Sequence, residues 1–237
     1  MERKKHIKGI LFDKDGTLLD FEKTWRPVWN QTEALLCNAL QIGEQEIRDV
    51  REALGILEEG FTSESIYVSG TLLEDAQIIA KISQKEVDTV LEILNKSYKR
   101  CIEDQKLSIV TMGNLKILMI YLKQRGYKLG IVTADSRLST EYFIKEAGLG
   151  SLLDFIGSDD GYYQMKPHPH MLESFCTKMG MHPCEVAVVG DTLKDMQFGK
   201  YNQAGESIYV KSRYSNEEAI QLADHVIAHI EDLITYF

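Results

Sequence analysis

The stretch EVAVVGDTLKD, Glu185–Asp195, joins an unbroken apolar run to a cluster of acids. Val186-Ala187-Val188-Val189 shows no polar alternation, so it suits a strand covered on both faces, as in a parallel sheet flanked by helices. Gly190 ends the run, and Asp191, Thr192 and Asp195 follow at once. Leu193–Ala204 reads as a helix, with Thr192 and Asp195 at capping-box spacing ahead of it. The same design recurs near the other end of the chain. Ile10-Leu11-Phe12 lies in an expected strand Lys8–Asp13, which stops on Asp13 and Asp15, and Gly16-Thr17 turns the chain away.

Working outward, helix and strand alternate after Ser108. Thr111–Arg125 is expected as a helix stopped by Gly126, and Lys128–Thr133 as a strand. Arg137–Ala147 follows as a helix, then Phe155-Ile156-Gly157 as a short strand. His168–Met179 is a helix with Pro169 in its first turn. Ser207–Val210 and His225–Ala228 are further strands. Such alternation gives βαβ units and a parallel sheet, the α/β class. The segment from about Glu22 to Asp104 differs. Trp25, Val28, Trp29, Thr32, Leu35, Leu36 and Ala39 recur at helical period, with Pro27 tolerable in the first turn. Val87, Val90, Leu91, Leu94, Tyr98 and Cys101 repeat the pattern behind a Ser83/Glu86 capping-box spacing. Glu58–Thr71, rich in Gly and Ser, reads as a loop. The expected organisation is a core of residues 1–20 and 106–237 with a helical insertion at 21–105, hinged near Asp20 and Lys106.

Composition sets outer bounds. A chain of 237 residues is long enough for a core domain plus an insertion. It is 44% hydrophobic and 27% charged, as soluble globular proteins are. A net charge of −9 argues against a nucleic-acid or anionic-membrane partner. The charged start leads straight into a strand and no apolar run would span a bilayer, so a cytoplasmic location is expected. Cys37, Cys101, Cys176 and Cys184 form no C-x-x-C pair and read as reduced, buried thiols.

In open parallel sheets ligands bind beyond the carboxyl ends of the strands. That rule gathers Asp13 and Asp15, then Thr133, Ala134, Asp135 and Ser136, then Asp159, Asp160 and Lys166, then Asp191, Thr192 and Asp195. Acids crowded on one rim repel one another, so a cation is expected, and oxygen ligands favour Mg²⁺. Other polar residues have plainer readings. Asp135, Asp159 and Asp160 read as loop acids, and Ser136 as the N-cap of the helix after it. Trp25 and Trp29 read as packing anchors, and His168 and His170 carry no catalytic assignment.

Four short motifs in order give a resemblance. Asp13-Lys14-Asp15-Gly16-Thr17, Thr133 after Gly130-Ile131-Val132, Lys166-Pro167, and Gly190-Asp191-Thr192-Leu193-Lys194-Asp195 each sit at a strand end or just after one. The chain resembles the haloacid dehalogenase-like hydrolase superfamily of aspartate-nucleophile phosphatases, above all its phosphoglycolate phosphatase-like members. The resemblance implies a Rossmann-like catalytic core with an inserted α-helical cap. It implies Asp13 as nucleophile, Asp15 as general acid–base, and Lys166 as the cation offsetting charge on nucleophile and phosphate. Thr133, with Ala134 beside it, would bind phosphate. Mg²⁺ would be held by Asp13, Asp191 and the Asp15 carbonyl, with Asp195 behind them orienting Lys166 or the loop. Lys14 departs from the family, which usually places an apolar residue between the two acids.

The implied activity is hydrolysis of a small phosphorylated metabolite, with phosphoglycolate the first candidate and Glu58–Thr71 the candidate specificity loop. Two other functions compete with it. A phosphomutase of the same superfamily would pass the phosphoryl group to a sugar hydroxyl. A signalling receiver would also combine acids, Thr and Lys on a parallel sheet, but it would leave the helical insertion unexplained. Asp15 and the Mg²⁺-type acids disfavour a dehalogenase.

Overall fold

In chain order, the computed structural model begins with β1 (Gly9–Phe12) and continues through five helices. These are α1 (Phe21–Leu40), α2 (Glu44–Leu54), α3 (Ile66–Ser69), α4 (Leu72–Ser83) and α5 (Val87–Glu103). Then follow α6 (Leu115–Gln124), β2 (Lys128–Ser136), α7 (Arg137–Glu146), β3 (Phe155–Asp159) and α8 (His170–Met179). The chain ends with β4 (Val186–Gly190), α9 (Leu193–Tyr201), β5 (Glu206–Val210), α10 (Glu217–Leu222), β6 (His225–Ile227) and α11 (Leu233–Tyr236). The structure describes residues 7–62, 64–104, 107–212 and 215–237. It has two compact units, Met1–Leu19 with Thr111–Phe237, and Asp20–Val110.

The first unit is the α/β unit. Its sheet is parallel throughout, in the order β3-β2-β1-β4-β5-β6. β1 lies between β2 and β4, in a register that puts Phe12 beside Ile131 and Val189. Successive residues of a strand face opposite ways, yet Ile10, Leu11 and Phe12 are all fully buried, as are Val186, Ala187 and Val189. Helices cover both faces, which is why these strands read as unbroken apolar runs. On one face Leu11, Val132, Val186 and Val188 pack with Phe175 and Phe198 from α8 and α9. The chain runs outward from β1 through β2 to β3, then crosses back to β4 on the other side of β1. That reversal opens a crevice beyond the carboxyl ends of the central strands.

The second unit is a helical bundle in which α5 packs on α1 and α4, and α2 on α4. Trp25 and Trp29 are buried, as packing anchors should be. Trp29 meets Tyr67 edge-on at 5.2 Å between centroids, and Trp25 lies 5.6 Å from Tyr98. Thr32 of α1 and Ser97 of α5 share a buried hydrogen bond of 2.7 Å. The ends of the unit meet, with the Asp20 N–H donating to the Val110 carbonyl at 2.8 Å.

Several local expectations need correcting. Pro27 lies in the second turn of α1, because Asp20 caps the helix by accepting from the Lys23 N–H, so the helix starts early. The carbonyl that Pro27 leaves unpaired belongs to exposed Lys23, where water can meet it. Ser83 and Glu86 do not form a capping box. Ser83 closes α4 and donates to the Ile79 carbonyl, and Glu86 caps α5 without a side-chain bond. α6 starts at Leu115 rather than Thr111, since Thr111 bridges Leu19 and Asn114 supplies the cap. α8 starts at His170, with Pro169 at the N-cap. Within Glu58–Thr71 the short α3 forms, and Ser63 lies outside the described residues. Lys106, one expected hinge, also lies outside them. All four cysteines are free, but only Cys101 and Cys176 are buried, Cys37 being half-buried and Cys184 exposed.

Candidate active site

Asp13 follows β1 directly, and its N–H donates to the Val189 carbonyl at 2.8 Å, pinning it to β4. Lys166 reaches it from the segment after β3. The Lys166 ammonium donates to Asp13 Oδ1 at 2.6 Å, Asp195 Oδ1 at 2.5 Å and the Val132 carbonyl at 3.1 Å. Three acceptors match its three protons, so the side chain is fixed in place. Asp13 Oδ2 is buried and accepts no hydrogen bond.

Asp191 follows β4, and its Oδ1 accepts from the Thr17 hydroxyl at 3.0 Å. Gly16, at φ 88°, passes so close that a Cβ there would collide with the Asp191 carboxylate. The glycine is therefore required both by its backbone angle and by the acid it faces. Asp195 opens α9 in a capping box, its Oδ2 accepting from the Thr192 N–H at 3.0 Å and the Thr192 hydroxyl at 2.5 Å. Both Asp195 oxygens are thus committed, one to Lys166 and one to the helix cap.

The carboxylates of Asp13, Asp191 and Asp195 offer oxygens within 4.8 Å of one another, all buried. Burial pushes the Asp13 carboxyl up to about 7, with Lys166 pulling it down and Asp195 pushing it further up. Burial, with Asp13 and Asp195 adding to it, holds Asp191 well above the usual carboxylate range. Burial opposes charge on Lys166, but Asp13 and Asp195 more than offset it and raise its ammonium above the ordinary lysine value. Three acids around one lysine leave an excess of negative charge. With the unpartnered Asp13 oxygen beside Asp191, this donor set fits a hard divalent cation such as Mg²⁺.

Thr133 is buried near the end of β2, where the pairing with β3 shifts register between Val132 and Ser136. Such a bulge re-aims side chains next to a site. The Thr133 hydroxyl accepts from the Asp135 N–H at 3.1 Å, and Ala134, half-buried, lies between them. Ser136 caps α7 by accepting from the Ser139 N–H. Asp160 stays in its loop, capping Tyr162 and pairing with Arg137 at 3.5 Å. His168 and His170 pack against each other, and His170 against Tyr162 and Tyr163.

Lys14 and Asp135 are the residues the sequence reading undervalued. Lys14 is fully buried, and its ammonium sits 2.5 Å from Asp15 Oδ2 and 2.9 Å from Asp135 Oδ2. Burial alone would depress it, but Asp135 and Asp15 push it up to about 12. Asp135 is thus an ion-pair partner and no simple loop acid. The signal available was a lysine where an apolar side chain is usual, opposite an acid two residues past Thr133.

Known proteins resemble this chain along most of its length. The chain is 29% identical over 230 residues to the pyrophosphatase PpaX of Bacillus mycoides, covering 96% of this chain and 95% of that one. It is 23% identical to the N-acetylmuramic acid 6-phosphate phosphatase of Pseudomonas aeruginosa, covering 98% and 95%. Its fold matches the crystal structure of a predicted phosphoglycolate phosphatase from Haemophilus somnus with a TM-score of 0.73, at 17% identity and 99% coverage of both chains. A family model described as haloacid dehalogenase-like hydrolase matches residues 7–202, a span that takes in Asp13, Thr133, Lys166, Asp191 and Asp195. With those residues converging at the switch point of a parallel sheet, the chain belongs to the haloacid dehalogenase-like hydrolases.

Proposed function

We propose that this hydrolase is a Mg²⁺-dependent phosphatase that cleaves a small phosphorylated metabolite through an aspartyl-phosphate on Asp13. The observation that carries this reading is the buried Lys166–Asp13 pair, which leaves one Asp13 oxygen without a partner beside Asp191. A carboxylate held this way is a positioned nucleophile. The Asp13 carboxylate forms the new bond to phosphorus as the ester P–O bond breaks. Asp15 gives a proton to the leaving oxygen, then takes one from the water that attacks the aspartyl-phosphate. Inorganic phosphate leaves, and Asp13 is regenerated. Lys166 orients the Asp13 carboxylate through Oδ1 and offsets negative charge on the phosphoryl group, while Thr133 and the backbone at Ala134 bind its oxygens. Asp13, Asp191 and the Asp15 carbonyl would hold the metal, with Asp195 fixing Lys166 behind them. When bound, Mg²⁺ supplies positive charge to the acids and to the phosphoryl oxygens.

Substrate choice is assigned to the helical unit, Asp20–Val110, acting as a cap. The relatives act on different phosphates, so the family narrows the substrate only to a small phosphorylated compound. Phosphoglycolate is the first candidate, by analogy with the named structural neighbour. The test is a panel of phosphorylated metabolites, with pyrophosphate included, ranked by kcat/KM in Mg²⁺. One compound should stand well above the rest. Absence of turnover across the panel and with p-nitrophenyl phosphate would overturn the reading.

A further inference from the structure

Lys14 is fully buried, so it cannot touch a substrate, yet its charged end lies between carboxylates from two separate segments. Asp15 belongs to the loop after β1 and Asp135 to the end of β2. Asp135 is itself anchored: its Oδ1 accepts from the Ser136 N–H at 2.7 Å, and its own N–H donates to the Thr133 hydroxyl. The ring of Phe143, from α7, lies 5.8 Å from the Lys14 ammonium and helps close the site around it. The loop carrying Asp15 is tight, with the Leu18 and Leu19 N–H groups both donating to the Lys14 carbonyl at 2.9 Å. Lys14 is therefore held at its backbone and at its charged end. Asp15, by contrast, keeps 11% of its side chain exposed.

We propose that Lys14 is a positioning residue that fixes the Asp15 carboxylate against the Asp135 post, aligning the acid–base group with the end of β2 that carries Thr133. The proposal rests on the phosphatase reading above, with Asp15 serving the leaving group. An apolar side chain at this position would leave Asp15 and Asp135 without the cation they share.

The experiment compares Lys14→Met, Asp15→Asn and the double variant on an alkyl phosphate and on p-nitrophenyl phosphate, whose leaving group needs little protonation. Lys14→Met should lower kcat on the alkyl phosphate about 100-fold, the scale of a displaced acid–base group. KM should move less than about threefold, and the first nitrophenol burst should slow less than about fivefold. In the Asp15→Asn background, Lys14→Met should cost nothing further on the alkyl phosphate, because the group it positions is already gone. Asp135→Asn, which removes the post and keeps the lysine, should give the same leaving-group pattern in weaker form. It decides the matter if Lys14→Met does not fold. Equal losses in the first step with both substrates, or a full additional loss in the double variant, would overturn the role of Lys14 and leave the phosphatase reading standing. A wild-type chain that hydrolyses neither ester would overturn both.

Discussion

Replacing Asp13 by Asn should abolish activity and at the same time stabilise the metal-free protein above neutral pH. Burial holds the Asp13 carboxyl at about 7 in the folded chain, against an ordinary 3.8. A folded value above the unfolded one means that the native state disfavours the ionised form. The penalty is absent below about pH 4, grows as pH rises, and is complete above about 7. That interval corresponds to roughly 4 kcal/mol at full ionisation. Burial shifts Asp191 in the same direction, but that penalty is common to both proteins and cancels in the comparison. For a chain of this length 4 kcal/mol corresponds to about 10 °C in Tm. The assay is thermal unfolding in chelator between pH 4 and 8, wild type against Asp13→Asn. Wild-type Tm should fall relative to the variant as pH rises, and saturating Mg²⁺ should close much of the gap by binding the native state. Parallel pH profiles, or a variant less stable than wild type at pH 8, would refute the view of Asp13 as a buried, destabilised charge.

Other consequences follow from the same contacts. Lys166→Met removes the cation that meets both Asp13 and Asp195, so kcat should fall at least about 100-fold with little change in KM. Gly16→Ala places a Cβ against the Asp191 carboxylate at φ 88°, so Mg²⁺ affinity and activity should drop together, measured by titrating activity with metal. Chelation should stop turnover and Mg²⁺ should restore it, while Ca²⁺ restores little because its looser coordination misplaces the nucleophile.

Much of this was legible in the sequence because burial on both sheet faces leaves a plain trace. Ile10-Leu11-Phe12 and Val186-Ala187-Val188-Val189 announce central parallel strands, and the acids after them fall at the strand ends where ligands bind. Lys166 is harder to place, since nothing local says that its ammonium crosses to Asp13, Asp195 and the Val132 carbonyl. Only the ordered motifs suggested it. Lys14 and Asp135 were opaque for the same reason, because their pairing depends on β1 lying beside β2. Helix ends failed where a cap outside the periodic pattern decided them. Asp20 started α1 early enough to put Pro27 in its second turn, and the Leu19–Thr111 bridge delayed α6. The helical unit was recognised as helical, but its α2 and α4 were not singled out.

The most direct test of the central claim is to look for a phosphoryl group on Asp13. Asp15→Asn should still attack p-nitrophenyl phosphate, whose leaving group needs little protonation, but it lacks the base that activates water. Mixed with that ester in Mg²⁺, the variant should release a burst of nitrophenol close to one equivalent and then stall. Mass spectrometry of the quenched protein should find one phosphoryl group on the peptide containing Asp13, removable by hydroxylamine. Asp13→Ala should show neither burst nor label. A phosphoryl group on another residue, or a burst that survives Asp13→Ala, would contradict the account.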